Sequence, residues 1–441
     1  MRSSYSVAER ANFFRTGPIR KAYWGLIRAW AKRTAESGKE EDFLVTLQST
    51  ERMRSRQFGE LVAPQAEAVM PLERLRTLRS QLGPDTVVLN YTLMDETIVL
   101  LAFDKERYKI LVIPYNGKEF LQQLSAVAEM LADARSSRET IQNKLLAISR
   151  ILLESVTPLF DKKTQVLVLP DGALNLIPFD LLSLDQSTYR PLIRDRVVWA
   201  ASSLKLFRPG QEGAPPGKSA GLFALGDPVY AKAPQIPNIS EAELQAVTRG
   251  HAYLSYFSPL PETRTEVEAI SKLFSNGPLK VVLGEQAKES TVKSADLRPF
   301  RYVHLATHGI LGGEVPGIGE PALVLGEEPG EDGFLRASEV EMIKLNADLT
   351  VLSACKTGTG ELVSGEGVMG MSRAFLAAGS RAVLVSLWSV ASKETEQLMV
   401  AFYRHLRSGM DTAEALRKAK LDLLAESPHP FYWASFILIG Q

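Results

Sequence analysis

Two side chains in this sequence have the types and the spacing to break a covalent bond. Cys355 is the only cysteine in 441 residues. It follows an apolar, β-branched run, Asp348-Leu349-Thr350-Val351-Leu352-Ser353-Ala354, and a glycine-rich stretch comes after it. His308 repeats the design 47 residues earlier (355 − 308), closing the run Arg301-Tyr302-Val303-His304-Leu305-Ala306-Thr307 just before Gly309. A free thiol has a pKa of about 8.5, so at neutral pH a nearby imidazole must take its proton or hold the anion. The same imidazole can later protonate a leaving amine. Attack on an amide carbonyl creates an oxyanion, and each fixed backbone N–H that holds it contributes about 3 kcal/mol. Gly309 and Cys355 offer the candidate donors, and a glycine at 309 lets a substrate backbone approach closely. A cysteine inside a strand would be a small core residue; the strand-end position, the matched histidine and the two following glycines argue for a nucleophile.

These residues need strands to carry them. Both runs read as buried strands of an α/β fold, a mainly parallel sheet flanked by helices, whose carboxyl ends line the crevice where working residues collect. Further strands are expected at Val166–Leu169, Leu222–Leu225, Lys280–Leu283, Ala382–Leu387 and Phe436–Ile439, with helices at 263–275, 289–296, 365–379, 393–408 and 411–425. Thr263 and Glu266 have capping-box spacing. Arg208–Gly217 and the acidic, glycine-rich Gly312–Gly333 read as a linker and a mobile loop. Upstream, Thr86–Tyr91, Thr97–Phe103 and Tyr108–Ile113 form a meander followed by helices at 117–133 and 137–158, a small α/β scaffold with no reactive constellation. Residues 1–82 read as a helical arm, with Tyr23, Trp24, Ile27, Trp30 and Ala31 on one face and a break at Ser37-Gly38-Lys39. The expected domains are therefore 1–82, 83–160 and 161–441.

The blocks Val303-His304-Leu305-Ala306-Thr307-His308-Gly309, Val351-Leu352-Ser353-Ala354-Cys355-Lys356-Thr357-Gly358, Gly365–Phe375 and Val383–Trp388 resemble the CHAT domain, a caspase-like cysteine peptidase family related to separase and often fused to TPR repeats. Leu169–Phe179 and His429–Phe436 match as well, so the resemblance covers roughly residues 85–441. Caspases, too, place their histidine about 50 residues before the nucleophile. The resemblance implies a His308–Cys355 dyad cleaving peptide bonds in a particular protein, with a remnant TPR-like arm that an activating protein or ribonucleoprotein engages. It also implies bacterial defence, with a gasdermin-type or CRISPR-associated target.

Substrate contacts follow from the same resemblance. In caspase-like folds the strand matching Val385-Ser386-Leu387-Trp388-Ser389 pairs with the extended substrate. Separase-like proteins, which favour arginine before the cut, carry acidic residues after the Leu-Trp pair; here Ser389, Val390, Ala391, Ser392 and Lys393 follow. An arginine in the pocket would need Asp171, Glu366 or Glu394 as its partner. An uncharged or apolar residue before the scissile bond is the expectation.

Composition closes off other classes. Formal net charge is zero (51 basic, 51 acidic), which removes any whole-molecule attraction to nucleic acid or anionic membrane. Residues 1–57 carry 12 basic and 6 acidic groups, read as a solvated helix surface, with an RNA or acidic-partner contact as the other reading. One cysteine allows no intrachain disulfide and suits a reducing, cytoplasmic setting. No run approaches the ~18 apolar residues of a membrane span, and the first residues, with Arg2, Glu9 and Arg10, lack a signal-peptide core. His304 and His308, four apart on one strand, would stand about 13 Å apart, so neither metal nor other cofactor is expected, and His304 reads as a core histidine. The glycines at 358–370 lack the closing Lys-Ser or Lys-Thr of a phosphate loop, which disfavours a nucleotide hydrolase. The remaining alternative is a catalytically silent scaffold that binds a partner protein.

Overall fold

The computed structural model describes residues 18–62, 69–205, 207, 220–230, 251–254, 256–274, 276–353, 366–388 and 392–440. The chain divides into two compact units, Met1–Glu212 with Leu362–Gly365 and Ile439–Gln441, and Gly213–Glu361 with Glu366–Leu438.

In the first unit α1 (Pro18–Ser37) and α2 (Glu40–Val62) pack along each other. Gly38, at φ +63°, makes the left-handed link between them. The apolar stripe buries Ile27 and Ala31 with Phe43, Leu44 and Leu47. After α3 (Leu72–Ser80) come β1 (Thr86–Leu93), β2 (Thr97–Phe103) and β3 (Tyr108–Pro114), the expected antiparallel meander. The helices α4 (Gly117–Leu131) and α5 (Arg138–Leu153) are capped by the side chains of Asn116 and Ser137. β4 (Gln165–Leu169) runs parallel to β1, and β5 (Val197–Ala200), which its four residues left unmarked in the sequence, runs parallel to β4.

The helical pair is bound into this unit by buried charge. Arg54 of α2 donates Nη1 to Pro170 O (2.8 Å) and Nη2 to Leu169 O (2.9 Å) and Tyr91 O, at the carboxyl ends of β4 and β1. Glu51 accepts from Ser203 Oγ (2.6 Å) and Leu204 N–H (2.8 Å), past the end of β5.

The second unit alternates strand and helix. β6 (Leu222–Pro228), α6 (Pro261–Ser271), β7 (Leu279–Gly284), α7 (Glu289–Ser294) and β8 (Tyr302–Ala306) come first. β9 (His308–Ile310), β10 (Ala322–Val324) and β11 (Phe334–Arg336) follow, then β12 (Leu349–Leu352), α8 (Glu366–Ala377), β13 (Ala382–Ser386), α9 (Ser392–Arg407), α10 (Thr412–Glu426) and β14 (Phe436–Gly440). Strands stand side by side in the order β14-β13-β12-β8-β6-β7, and the pairs β13–β12, β12–β8, β8–β6 and β6–β7 are all parallel. Every residue of β8, β12 and β13 is buried, as expected of strands covered on both faces.

Two expectations need correction here. Gly312–Gly333 is not one mobile loop: it contains β10, which pairs antiparallel with β9 on one side and β11 on the other. Ile310, Val315, Ile318, Val324 and Phe334 bury one another together with Tyr230 and Leu254, a satellite core that the glycine and acid content of the segment concealed. Thr263 and Glu266 form no capping box, because the helix starts earlier, with Pro261 at its first turn. Thr263 Oγ1 instead bonds Leu260 O (2.7 Å) and accepts the Asp227 N–H (2.7 Å), while Glu266 points at His304.

Candidate active site

β8 and β12, the strands that lead to His308 and toward Cys355, are hydrogen-bonded neighbours. Leu305 stands opposite Leu352, and Ser353 N–H donates to Leu305 O at 3.0 Å. Cys355 itself lies outside the described residues, as does Ser389. β8 ends at Ala306 because Thr307 turns the chain aside: its hydroxyl lies 3.0 Å from Tyr230 OH and also donates to Val324 O. The backbone thereby passes from the main sheet into β9, where His308, Gly309 and Ile310 face Val324, Leu323 and Ala322. The i, i+4 strand geometry expected for His304 and His308 therefore does not hold, because the two histidines belong to different sheets.

His308 is fixed from two sides. Its Nε2 lies 2.8 Å from Ser258 O, and a carbonyl only accepts, so Nε2 carries the hydrogen and Nδ1 keeps a lone pair for proton transfer. The imidazole packs on an aromatic pair, with ring centroids 5.5 Å from Tyr230 and 5.3 Å from Phe257, which are 6.1 Å from each other. Burial pushes the Tyr230 phenol up to about 12, so it stays a neutral hydrogen-bonding group.

The direction of the Gly309 amide follows from ladder phase. Leu325 N–H donates to Gly333 O (2.8 Å) and Ala337 N–H to Pro321 O (2.9 Å). In an antiparallel ladder alternate residues face the same neighbour, so Leu323 turns its backbone groups toward β11, and Ala322 and Val324 turn theirs toward β9. Gly309, opposite Leu323, directs its N–H away from β10. β9 is an edge strand, and the amide has no partner among the described residues.

The remaining sequence candidates fall elsewhere. Ser386, Leu387 and Trp388 are buried to 4, 6 and 3% exposure. Leu387 N–H donates to Ser435 O (2.8 Å) and Trp388 Nε1 to Phe431 O (2.9 Å). β13 has neighbours on both edges over Ala382–Ser386, and Leu387 and Trp388 lie just past its end. Asp171, in the first unit, is buried; it accepts the Leu93 N–H at 2.9 Å and lies 3.5 Å from Arg20. Glu366 is the first residue of α8. His304 is fully buried, with Nε2 2.9 Å from Glu266 Oε1 and Nδ1 3.3 Å from Tyr403 OH, as a core histidine should be.

A profile of the CHAT domain matches residues 142–441. The chain belongs to the CHAT domain family. Among known proteins, human Tetratricopeptide repeat protein 28 is 27% identical over 333 residues, 66% of this chain and 12% of that protein. The mouse Tetratricopeptide repeat protein 28 is 28% identical over 218 residues, 42% of this chain and 9% of that protein. The CHAT chain thus spans only a small part of these relatives. Among solved structures it resembles the Saccharomyces cerevisiae separase–securin complex at a TM-score of 0.58 and 10% identity, over 91% of this chain and 34% of that chain. A second crystal structure of the same complex gives 0.51 and 11%, over the same shares. At such identity the likeness is one of fold: a mixed α/β architecture with a large, mostly parallel sheet flanked by helices, as in separase. Among the described residues, no helix is long and apolar enough to cross a membrane.

The sequence singles out His308 and Gly309 but does not mark the groups gathered around His308, namely Thr307, Tyr230, Phe257 and Ser258. A signal existed: β6 also ends on a turn former, Gly226-Asp227-Pro228, and Tyr253, Tyr256 and Phe257 crowd a short apolar stretch.

Proposed function

We propose that this CHAT protein is a cysteine endopeptidase acting on a particular partner protein, with Cys355 as nucleophile and His308 as general base and acid. The observation that carries this reading is the pairing of β8 with β12 in register, together with a His308 whose Nε2 is already committed to Ser258 O. Nδ1 takes the Cys355 proton; sulfur attacks the peptide carbonyl carbon; the C–N bond breaks, and the imidazolium returns its proton to the leaving amine. Water, deprotonated by the same nitrogen, then attacks the thioester carbonyl; the C–S bond breaks, the carboxylic acid leaves and the imidazolium returns the proton to the thiolate. The outward Gly309 N–H and the Cys355 N–H are the proposed oxyanion donors. Ser386 through Ser389 and Glu366 remain candidates for shaping the substrate pocket, and a partner on the helical arm is the proposed activator.

A catalytically silent CHAT scaffold is the second reading, favoured by one observation: the described part of β13 offers no free edge to a substrate strand. Incubation with a proteome, followed by sequencing of new amino termini, separates the two. The enzyme produces cleavages that vanish in both Cys355→Ala and His308→Ala; identical termini with and without the thiol support the scaffold.

A further inference from the structure

Tyr230 is reached by an unusual turn. At the end of β6, Gly226 lies beside Ala306 of β8, and a side chain at 226 would meet Thr263 O at 2.9 Å and Val267 at 3.0 Å. Asp227 then takes a left-handed conformation, φ +49°, which disfavours a residue with a side chain. α6 holds it there: the Asp227 N–H donates to Thr263 Oγ1, and its carboxylate receives Nε (2.8 Å) and Nη2 (2.7 Å) of Arg264. Three residues later Tyr230 lies against the segment where Thr307 and His308 leave the sheet. Its hydroxyl meets Thr307 Oγ1 at 3.0 Å, while its ring packs on the imidazole.

The geometry points to Tyr230 as the positioning residue of His308: one phenol holds the hydroxyl of Thr307, the residue just before the imidazole, and supports the ring, while Ser258 O fixes its tautomer. This rests on the dyad proposed above. A tyrosine that merely filled the satellite core would need neither a hydroxyl aimed at the β8–β9 turn nor a left-handed aspartate to deliver it. Here the backbone holds a sparsely populated conformation, pinned by two side chains of α6, and the tyrosine that follows meets the candidate base through its ring and the residue before it through its oxygen. Strain held in place at such a position is a pointer to function.

The single thiol allows a test without knowledge of the substrate. The rate of alkylation of Cys355 by iodoacetamide is measured from pH 5 to 9 on the full chain. In the wild type the imidazole keeps the thiol reactive well below its free pKa; in His308→Ala the profile moves to that of a free thiol, near 8.5. Tyr230→Ala is expected to follow His308→Ala. Tyr230→Phe, which keeps the ring and loses the hydroxyl, should react about fivefold more slowly than wild type at pH 6.5, the worth of one hydrogen bond, with its melting temperature within a few degrees. If Tyr230→Ala does not fold, Tyr230→Phe and Thr307→Val carry the test. A shifted His308→Ala beside wild-type profiles in the Tyr230 and Thr307 variants overturns the positioning role alone. A wild-type profile in His308→Ala overturns the dyad and the positioning role with it.

Discussion

Lys293 is the cation on which the edge of the candidate site hangs, and removing it has a calculable effect. Its Nζ lies 2.5 Å from Glu289, 2.6 Å from Glu339 and 2.9 Å from Glu331. These three carboxylates are close enough to hold a metal ion, but an ammonium already sits among them. They tie α7 to β11 and the residues around it; Glu289 also accepts the Gly333 N–H at 3.1 Å, so the cluster secures the small sheet that carries His308. One positive charge cannot offset three negative ones in a buried place. Burial first, and then the Glu339 and Glu331 carboxylates, push Glu289 up to about 7 against the pull of Lys293. A carboxylate raised in this way adds stability below its unfolded pKa of 4.5, and that stability is lost as pH rises through about 7. In Lys293→Met the three carboxylates lose the ammonium at their centre, leaving Arg336, 3.7 Å from Glu339, as the neighbouring cation. Breaking a buried ion pair costs about 3–5 kcal/mol; because Lys293 is 27% and Glu331 32% exposed, the lower end applies, about 3 kcal/mol at pH 8. For a unit of this size that is a fall of about 6–12 °C in its melting transition. At pH 5, below the raised value of Glu289, that carboxyl takes up its proton, and part of the defect should disappear. Differential scanning calorimetry at pH 5 and 8, with Lys293→Arg as the charge-conserving control, reads the difference. An equal loss at both pH values, or none at pH 8, would refute the electrostatic account.

Two further predictions concern stability. Arg54→Met removes the guanidinium from Pro170 O, Leu169 O and Tyr91 O and strands the buried Glu51, so the first unit should lose about 3–5 kcal/mol, measured by urea denaturation. Gly379→Ala should cost at least about 2 kcal/mol in thermal melts, since Gly379 sits at φ +114° and a Cβ there would lie 2.3 Å from Leu345 O.

Much of the second unit was legible because parallel strands buried on both faces are written as unbroken apolar runs. Tyr302–Ala306, Leu349–Leu352 and Ala382–Ser386 could hardly be anything else. Their carboxyl ends, and with them His308 and Gly309, followed from where the runs stop. The small sheet was illegible for the opposite reason. β9, β10 and β11 have three residues each, too few to show a period, and they are separated by glycines and acids that in isolation signify a loop. Their stability comes from packing on Tyr230 and Leu254, which are remote in sequence. The tautomer of His308 was equally hidden, because it depends on the backbone carbonyl of Ser258, and carbonyls leave no trace in residue type.

The carboxyl end of a parallel strand leaves carbonyl groups and a turn to be satisfied, and the two units meet that need with different chemistry. In the first, the ends of β1 and β4 are closed by Arg54, whose rigid fork of donors suits several carbonyls at once and whose charge does not titrate near neutral pH. A rim closed by a permanent cation is a structural joint, and it serves to fasten α2. In the second, β8 runs on into Thr307 and His308, and the groups gathered there are a phenol, a hydroxyl, a neutral imidazole and the outward amide of an edge strand. Of these, the imidazole is the one that exchanges a proton near neutral pH, and the phenol, the hydroxyl and the amide serve as hydrogen-bonding groups. The two rims thus differ in their chemistry, a permanent cation at one and an imidazole with its hydrogen-bonding supports at the other, which is why the catalytic proposal rests on His308 and its supports and not on the sheet alone.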